Sequence, residues 1–258
     1  MKIVRFEKDG LVRYGRMDGE TVKGIVYSPF CAKWREDRTE YTGEQFSVSE
    51  IRLLVPCEPT KYIGVGLNFE GAARTLGREA PAYPITFMKP SGAVIPSGAS
   101  IELKERADAD YWFEGELAVV IKKNCRRVKR ADAYDYIAGY TCTNDITNMA
   151  EFGHDDLKLK AADTYGPTGP CMETSMDPNC CRIRSWVNGE LRQDGNSSEF
   201  IFDIPYMIEF ISDTMTLYPG DILAMGTPAG AGPCRPGDRL RIEVEGIGIL
   251  ENTVVSVK

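Results

Sequence analysis

Apolar and charged residues alternate from the start of the chain. Residues 2–6, 11–14 and 22–27 each read as a half-buried strand, and Asp9-Gly10 and Asp18-Gly19 supply the turns between them. A polar stretch over 33–45 interrupts this pattern, which resumes over 48–54 and stops at Pro56. Tyr62 then opens an uninterrupted apolar run, YIGVG, of the kind a buried strand carries. Residues 111–121 predict one long strand, and 182–191 predict a hairpin turning at Asn188-Gly189. Residues 221–225, 240–244 and 247–257 add further strands, with Gly246 and Gly248 at a turn. Helical patterning is confined to 131–136 and to 204–211, where Asp203 is placed to cap and Pro205 sits in the first turn. Strands do not alternate with helices, which argues against a doubly wound parallel sheet. The expected fold is a strand-dominated α+β structure, with a small β-rich N-terminal domain over 1–56 and a main domain over 57–258.

Composition narrows the class. The 258 residues are 43% apolar and 27% charged, so the bulk of the chain has the material for a core and is not disordered. No apolar stretch approaches the roughly 18 residues of a membrane span, and the first ten residues carry no signal-peptide block. A net charge of −7 argues against a general nucleic-acid partner. The one basic run, KKNCRRVKR at 122–130, lies between a strand and a helix-like segment and reads as a solvated connecting loop. Eight cysteines show no CxxC pair, so neither a zinc ribbon nor a thioredoxin-type motif is present. Reduced thiols in a soluble cytoplasmic protein are the expectation.

Several familiar chemistries drop out. The single histidine, His154, lies in the polar stretch FGHDDLKLK and reads as solvated, and no Gly-x-Ser-x-Gly elbow supports a hydrolase triad. Gly64-Val-Gly66 lacks the third glycine of a dinucleotide fingerprint, and the run from Thr227 to Gly232 lacks the lysine of a phosphate loop. Carboxylates are more informative. Glu114 and Glu116 fall on one strand face beside the wholly apolar run 117–121, where ionised side chains are costly unless a cation meets them. Asp145, ending YIAGYTCTND, could add a third oxygen ligand, and an all-oxygen set suits Mg²⁺ or Mn²⁺. An exposed strand face shows the same Glu-x-Glu spacing, so spacing alone leaves both readings open.

From about Tyr62 onward the chain resembles the fumarylacetoacetate hydrolase family. The landmarks, in order, are YIGVGLNF, Phe87-Met-Lys89-Pro90, Glu114-Gly-Glu116, Asn144-Asp145, Lys160-Ala-Ala-Asp163, Gly166-Pro-Thr-Gly-Pro170, Asn188-Gly-Glu190 with Gln193, Leu217-Tyr-Pro-Gly-Asp221 and Gly226-Thr-Pro-Ala-Gly230. The resemblance implies a mixed β-roll, a homodimer, and Mg²⁺ held by Glu114, Glu116 and Asp145. It also implies a 2-oxo acid or β-diketone substrate, Lys160 as the catalytic lysine near the reacting carbonyl, and Thr227 and Lys89 as substrate contacts.

The chain departs from the family where water is activated. Ala72 and Thr75 occupy the slots of a histidine–glutamate dyad; Met149 and Phe152 occupy those of an arginine and a glutamine. The expected activity is therefore a metal-dependent lyase or isomerase on an enolisable 2-oxo acid. The alternatives are a C–C bond hydrolase, with Glu70 or Glu151 as a substitute base, and a non-catalytic relative that binds an oxo acid or a metal.

Overall fold

The computed structural model describes residues 1–106 and 109–258. The chain opens with β1 (Lys2–Lys8), β2 (Leu11–Asp18), β3 (Thr21–Ile25), β4 (Tyr41–Ser47) and β5 (Arg52–Leu54). Asp9, Gly10 and Gly19 take positive φ at the two predicted turns. Strand β4 begins inside the stretch that sequence patterning leaves as polar, because its residues are almost all exposed and no alternation marks it. Next come β6 (Tyr62–Gly66), the short helix α1 (Glu70–Thr75), β7 (Ile85–Lys89), β8 (Val94–Ile95) and β9 (Ser100–Lys104).

The predicted long strand over 111–121 is two strands, β10 (Tyr111–Phe113) and β11 (Gly115–Ile121), broken at Glu114. They belong to different sheets, and the chain turns from one to the other at this residue. After β11 come β12 (Ile137–Asn144), β13 (Thr147–Asn148), α2 (Asp156–Lys160), β14 (Gly166–Glu173), β15 (Arg182–Val187) and β16 (Glu190–Asn196). Then follow α3 (Ile204–Thr214), β17 (Ile222–Ala224), β18 (Gly232–Pro233), β19 (Arg239–Val244) and β20 (Gly248–Val257). The helical signal at 131–136 is a 3₁₀ segment, Arg130–Tyr136. Helix α3 starts as predicted, with the Asp203 side chain accepting from Tyr206 N at 2.8 Å.

A 12-stranded mixed sheet runs β4-β3-β2-β1-β14-β12-β11-β17-β6-β7, with β5 on β1 and β8 on β14; a five-stranded sheet runs β16-β15-β19-β20-β9. The N-terminal strands thus extend the sheet that holds β11, through Lys2 and Ile3 against Glu173 and Met172. Every residue of β11 is buried. Leu117, Val119 and Ile121 pack with α3 residues Met207, Ile208 and Ile211, and with Ile242 and Val244 of β19. Ala118 and Val120 pack on the opposite face with Ile3, Tyr62, Met172 and Ile222. Burial on both faces is why the run is continuously apolar rather than alternating. No helix among the described residues is long and apolar enough to cross a membrane.

One buried carboxylate joins the approach to β6 to the approach to β17. Asp221 Oδ1 accepts from Thr60 N at 2.9 Å, Thr60 Oγ1 at 2.7 Å and Lys61 N at 2.9 Å, while Oδ2 accepts from Tyr218 N at 2.8 Å. Lys61 Nζ lies 2.8 Å from Oδ2. Asp221→Ala strands three backbone donors and a partly buried ammonium, and is expected to destabilise the fold by about 3–5 kcal/mol. Urea unfolding of the two proteins measures this, and a difference below about 1 kcal/mol would show the network to be dispensable.

Candidate metal centre and active site

The turn at Glu114 and the end of β12 bring the three predicted carboxylates together. Asp145 N donates to Glu114 O at 2.8 Å and Glu114 N donates to Asn144 Oδ1 at 3.0 Å, so one backbone bond and one side-chain bond fix the two loops to each other. Carboxylate oxygens of Glu114, Glu116 and Asp145 lie within 4.8 Å of one another. Glu116 and Asp145 are buried, and Glu114 is partly open to a cleft.

The cations that meet this charge are lysines. Lys160, at the end of α2, bonds Asp145 Oδ2, donates to Thr147 Oγ1 at 2.5 Å and lies 3.4 Å from Glu114 Oε1. Lys89, fully buried at the end of β7, lies 2.6 Å from Asp145 Oδ1. Its ammonium also donates to the carbonyls of Ile146 at 2.8 Å, Lys160 at 2.9 Å and Tyr165 at 2.9 Å. Lys89 does not line the cleft, so the side chain expected to touch substrate is instead an anchor behind Asp145 and α2. Asp145 Oδ1 meets the Lys89 ammonium and no other donor.

The electrostatics follow from burial. Burial raises Glu116 well above the usual carboxylate range, and Asp145 and Glu114 push it further, against Lys160 and the Gly226 N–H. Burial raises Glu114 too, with Lys160 opposing. Burial pulls Lys89 down to about 8 despite Asp145. Burial also works to lower Lys160, but Asp145 and Glu114 outweigh it and the ammonium is held above its usual value.

A second layer holds the triad in place. Glu116 Oε2 accepts from Gly226 N at 2.8 Å. Gly226 has φ of 91°, and a Cβ there would meet Asn68 Cβ at 2.8 Å and Val65 O at 2.9 Å, so only glycine fits this approach. Asn68 donates to Met225 O at 2.8 Å and Phe202 O at 3.0 Å, and accepts from Phe202 N at 2.8 Å. Gln193 bonds Gly115 N at 3.0 Å, Thr227 Oγ1 at 2.7 Å and Pro228 O at 2.8 Å, which fixes Thr227 on the cleft wall. The Thr227 hydroxyl in turn donates to Gly115 O at 2.9 Å.

The cleft beside the triad is a cavity of about 340 Å³. Glu114, Lys160 and Thr227 line it, as do Ala72, Thr75, Met149 and Phe152, the four positions where the chain departs from the family pattern. The Thr75 hydroxyl bonds Gly71 O at 2.9 Å within its own helix. Neither proposed substitute base faces the cavity. Glu70 is exposed 3.9 Å from Arg74, and Glu151 is paired with Arg106 at 2.7 Å. His154 is exposed and also lies outside the lining.

Two charged lining residues escape sequence reasoning, Arg78 and Asp156. Asp156 stands four residues before Lys160, a spacing that puts both on one helix face. Helix α2 has only five residues, too few to show a period, and its sole marker is Asp155, whose side chain caps Leu157 N at 3.0 Å.

An all-oxygen set of three clustered carboxylates fits a hard divalent cation. One Mn²⁺ or Mg²⁺ per chain is the expected result of a calorimetric titration. Glu116→Ala is expected to weaken binding by at least the roughly 10–100-fold that losing even an outer-shell partner costs. Equal binding by both proteins would remove Glu116 from the ligand set.

Comparison with known proteins identifies the family and the fold. The family described as fumarylacetoacetate (FAA) hydrolase C-terminal matches residues 61–255, and the family described as Rv2993c-like, N-terminal, matches residues 1–56. The oxaloacetate tautomerase YisK of Bacillus subtilis is 36% identical, covering 90% of this chain and 83% of that protein. The crystal structure of a 5-carboxymethyl-2-hydroxymuconate delta-isomerase from Mycobacterium smegmatis is similar with a TM-score of 0.89 at 36% identity, covering 100% of both chains. A maleylpyruvate hydrolase from Sphingobium sp. SYK-6, solved in complex with manganese(II) and pyruvate, is similar with a TM-score of 0.82 at 28% identity, again over 100% of both chains.

Proposed function

This chain belongs to the fumarylacetoacetate hydrolase family, and we propose that it is a divalent-metal-dependent isomerase or lyase acting on an enolisable 2-oxo carboxylic acid. The observation that carries the reading is the cavity wall. At the two positions where family members carry a water-activating dyad stand Ala72 and Thr75, one without a polar group and the other bonded within its own helix. Hydrolysis of a C–C bond needs water activated at the second carbonyl, and a general base typically contributes about 10²–10⁴-fold to such a step. Tautomerisation or decarboxylation needs only an enolate to be stabilised and a proton to be moved.

Glu114, Glu116 and Asp145 would hold the cation. Bound there, it would act as a Lewis acid on the adjacent keto and carboxylate oxygens and stabilise the enolate. Lys160 is the proton carrier: it lines the cavity, touches Asp145 and lies 4.4 Å from the centroid of the Phe87 ring, which shields it from bulk water. A nearby dication opposes the carboxylates that otherwise raise the Lys160 ammonium, which makes its proton easier to release. Thr227, fixed by Gln193, bounds the substrate from the cavity lining. Support also comes from two relatives, a tautomerase of oxaloacetate and a hydrolase solved with pyruvate, whose ligands are 2-oxo acids.

A hydrolase is the second reading, and Asp156 favours it, as a carboxylate that does line the cavity. The two readings separate in one assay series. With Mg²⁺ or Mn²⁺ and not with EDTA, the protein is expected to accelerate tautomerisation or decarboxylation of oxaloacetate, and Lys160→Met to lower kcat by about 10²–10⁴-fold. Metal-dependent cleavage of an acylpyruvate to pyruvate and a free acid, abolished by Asp156→Asn, would replace the isomerase–lyase reading with the hydrolase. Binding of these acids with no turnover of any would leave a non-catalytic relative.

A further inference from the structure

The basic run over 122–130 and the outer face of α3 enclose a second cavity, of about 420 Å³, that shares no lining residue with the cleft beside the triad. One wall is the loop, through Arg127 and Lys129; the other is the helix, through Tyr206, Glu209, Phe210 and Asp213. Hydrogen bonds hold the walls together. Buried Ser212 accepts from Arg127 N at 2.8 Å through its carbonyl and from Val128 N at 2.9 Å through its hydroxyl. Arg126 Nη1 donates to Thr214 O at 3.1 Å. The spacing between loop and helix is therefore built into the fold.

The charges on these walls are unmatched. Arg130 of the same run pairs with Asp203. Among the described residues, however, Arg127, Lys129, Glu209 and Asp213 make no ion pair and no side-chain hydrogen bond. Two cations on one wall and two carboxylates on the other thus line the same space without touching. Glu209 and Asp213 stand one helical turn apart, where like charges repel. Asp213 also lies in the last turn of α3, which carries no basic residue to meet the negative end of the helix. An added cation would relieve both. The helix wall is aromatic as well: Tyr206 stacks on Phe202 with centroids 5.5 Å apart, and Phe210 on Tyr206 at 6.2 Å. Phe210 ends this ladder, and among the described residues no further ring packs on it.

We propose that this cavity binds an aromatic α-amino acid as a zwitterion. Its carboxylate meets Arg127 and Lys129, its ammonium meets Glu209 and Asp213, and its ring packs on the Tyr206 and Phe210 side chains. A ligand with one charge would satisfy one wall and leave the other unmatched. An α-amino acid carries both charges on a single carbon and serves both walls. The cavity volume falls within the roughly 300–1,000 Å³ of small-molecule sites.

Calorimetry with L-phenylalanine on the full chain tests this against three ligands that each lack one feature. These are 3-phenylpropionate without the ammonium, 2-phenylethylamine without the carboxylate, and L-alanine without the ring. Phenylalanine is expected to bind at least about tenfold more tightly than each of them, the lower end for a hydrogen bond to a charged group. Arg127→Gln with Lys129→Gln is expected to remove the advantage over 2-phenylethylamine, and Glu209→Gln with Asp213→Asn the advantage over 3-phenylpropionate. Neither pair is expected to lower the melting temperature, because these side chains are exposed or half-buried and hold no other group. Phenylalanine binding no tighter than any one of the three, or advantages that survive the charge variants, overturns the proposal. So does the absence of phenylalanine binding at millimolar concentration.

Discussion

Three carboxylates share a space less than 5 Å across, at the point where the chain turns from one sheet into another, and they are stabilised there by two lysine ammoniums. An isolated ionised carboxylate in such surroundings would be driven to protonate, because burial removes its hydration. Lys89 and Lys160 come from β7 and α2, so the electrostatic demand of the triad ties the sheet edge and a short helix to the corner at Glu114. Much of the surrounding architecture serves this constraint. Lys89 caps three carbonyls around Asp145, and Gly226 lets a backbone N–H reach Glu116 without a clash. The cleft opens where the remaining charge is accessible.

The same charge pattern explains how one end of the cavity can be chemically demanding and the rest undemanding. Carboxylates that neutralise Lys160 are also the groups a dication would engage, so a bound cation would compete with the lysine for Asp145 and Glu114. Further out, Met149, Phe152 and Leu76 offer apolar surface.

Departures between patterning and structure have a common origin. Residues 111–121 read as one strand because apolar residues flank Glu114-Gly-Glu116 on both sides, yet the chain breaks at Glu114 because β10 and β11 pair with partners in different sheets. Strand β4 was invisible because both its faces are exposed. Helices α1 and α2 have six and five residues, and a helix that short shows less than two turns of its period.

What the sequence determined by itself was the strand-dominated class, the turns at Asp9-Gly10 and Asn188-Gly189, the cap of α3, the exposed His154, and the candidate set Glu114, Glu116 and Asp145. Each of these rests on local chemistry: a left-handed turn needs glycine or its few substitutes, a helix start needs a capping acceptor, and a carboxylate beside an apolar run needs a cation. The tertiary structure alone decided that Lys89 lies behind Asp145 rather than in the cleft, that Glu70 and Glu151 face elsewhere, and that Arg78 and Asp156 line the cavity with Lys160. Those outcomes depend on which side chains strand pairing brings within a few ångströms across more than fifty residues of chain. Pairing is fixed by burial of the whole sheet, a sum over many contacts that no short window of sequence contains.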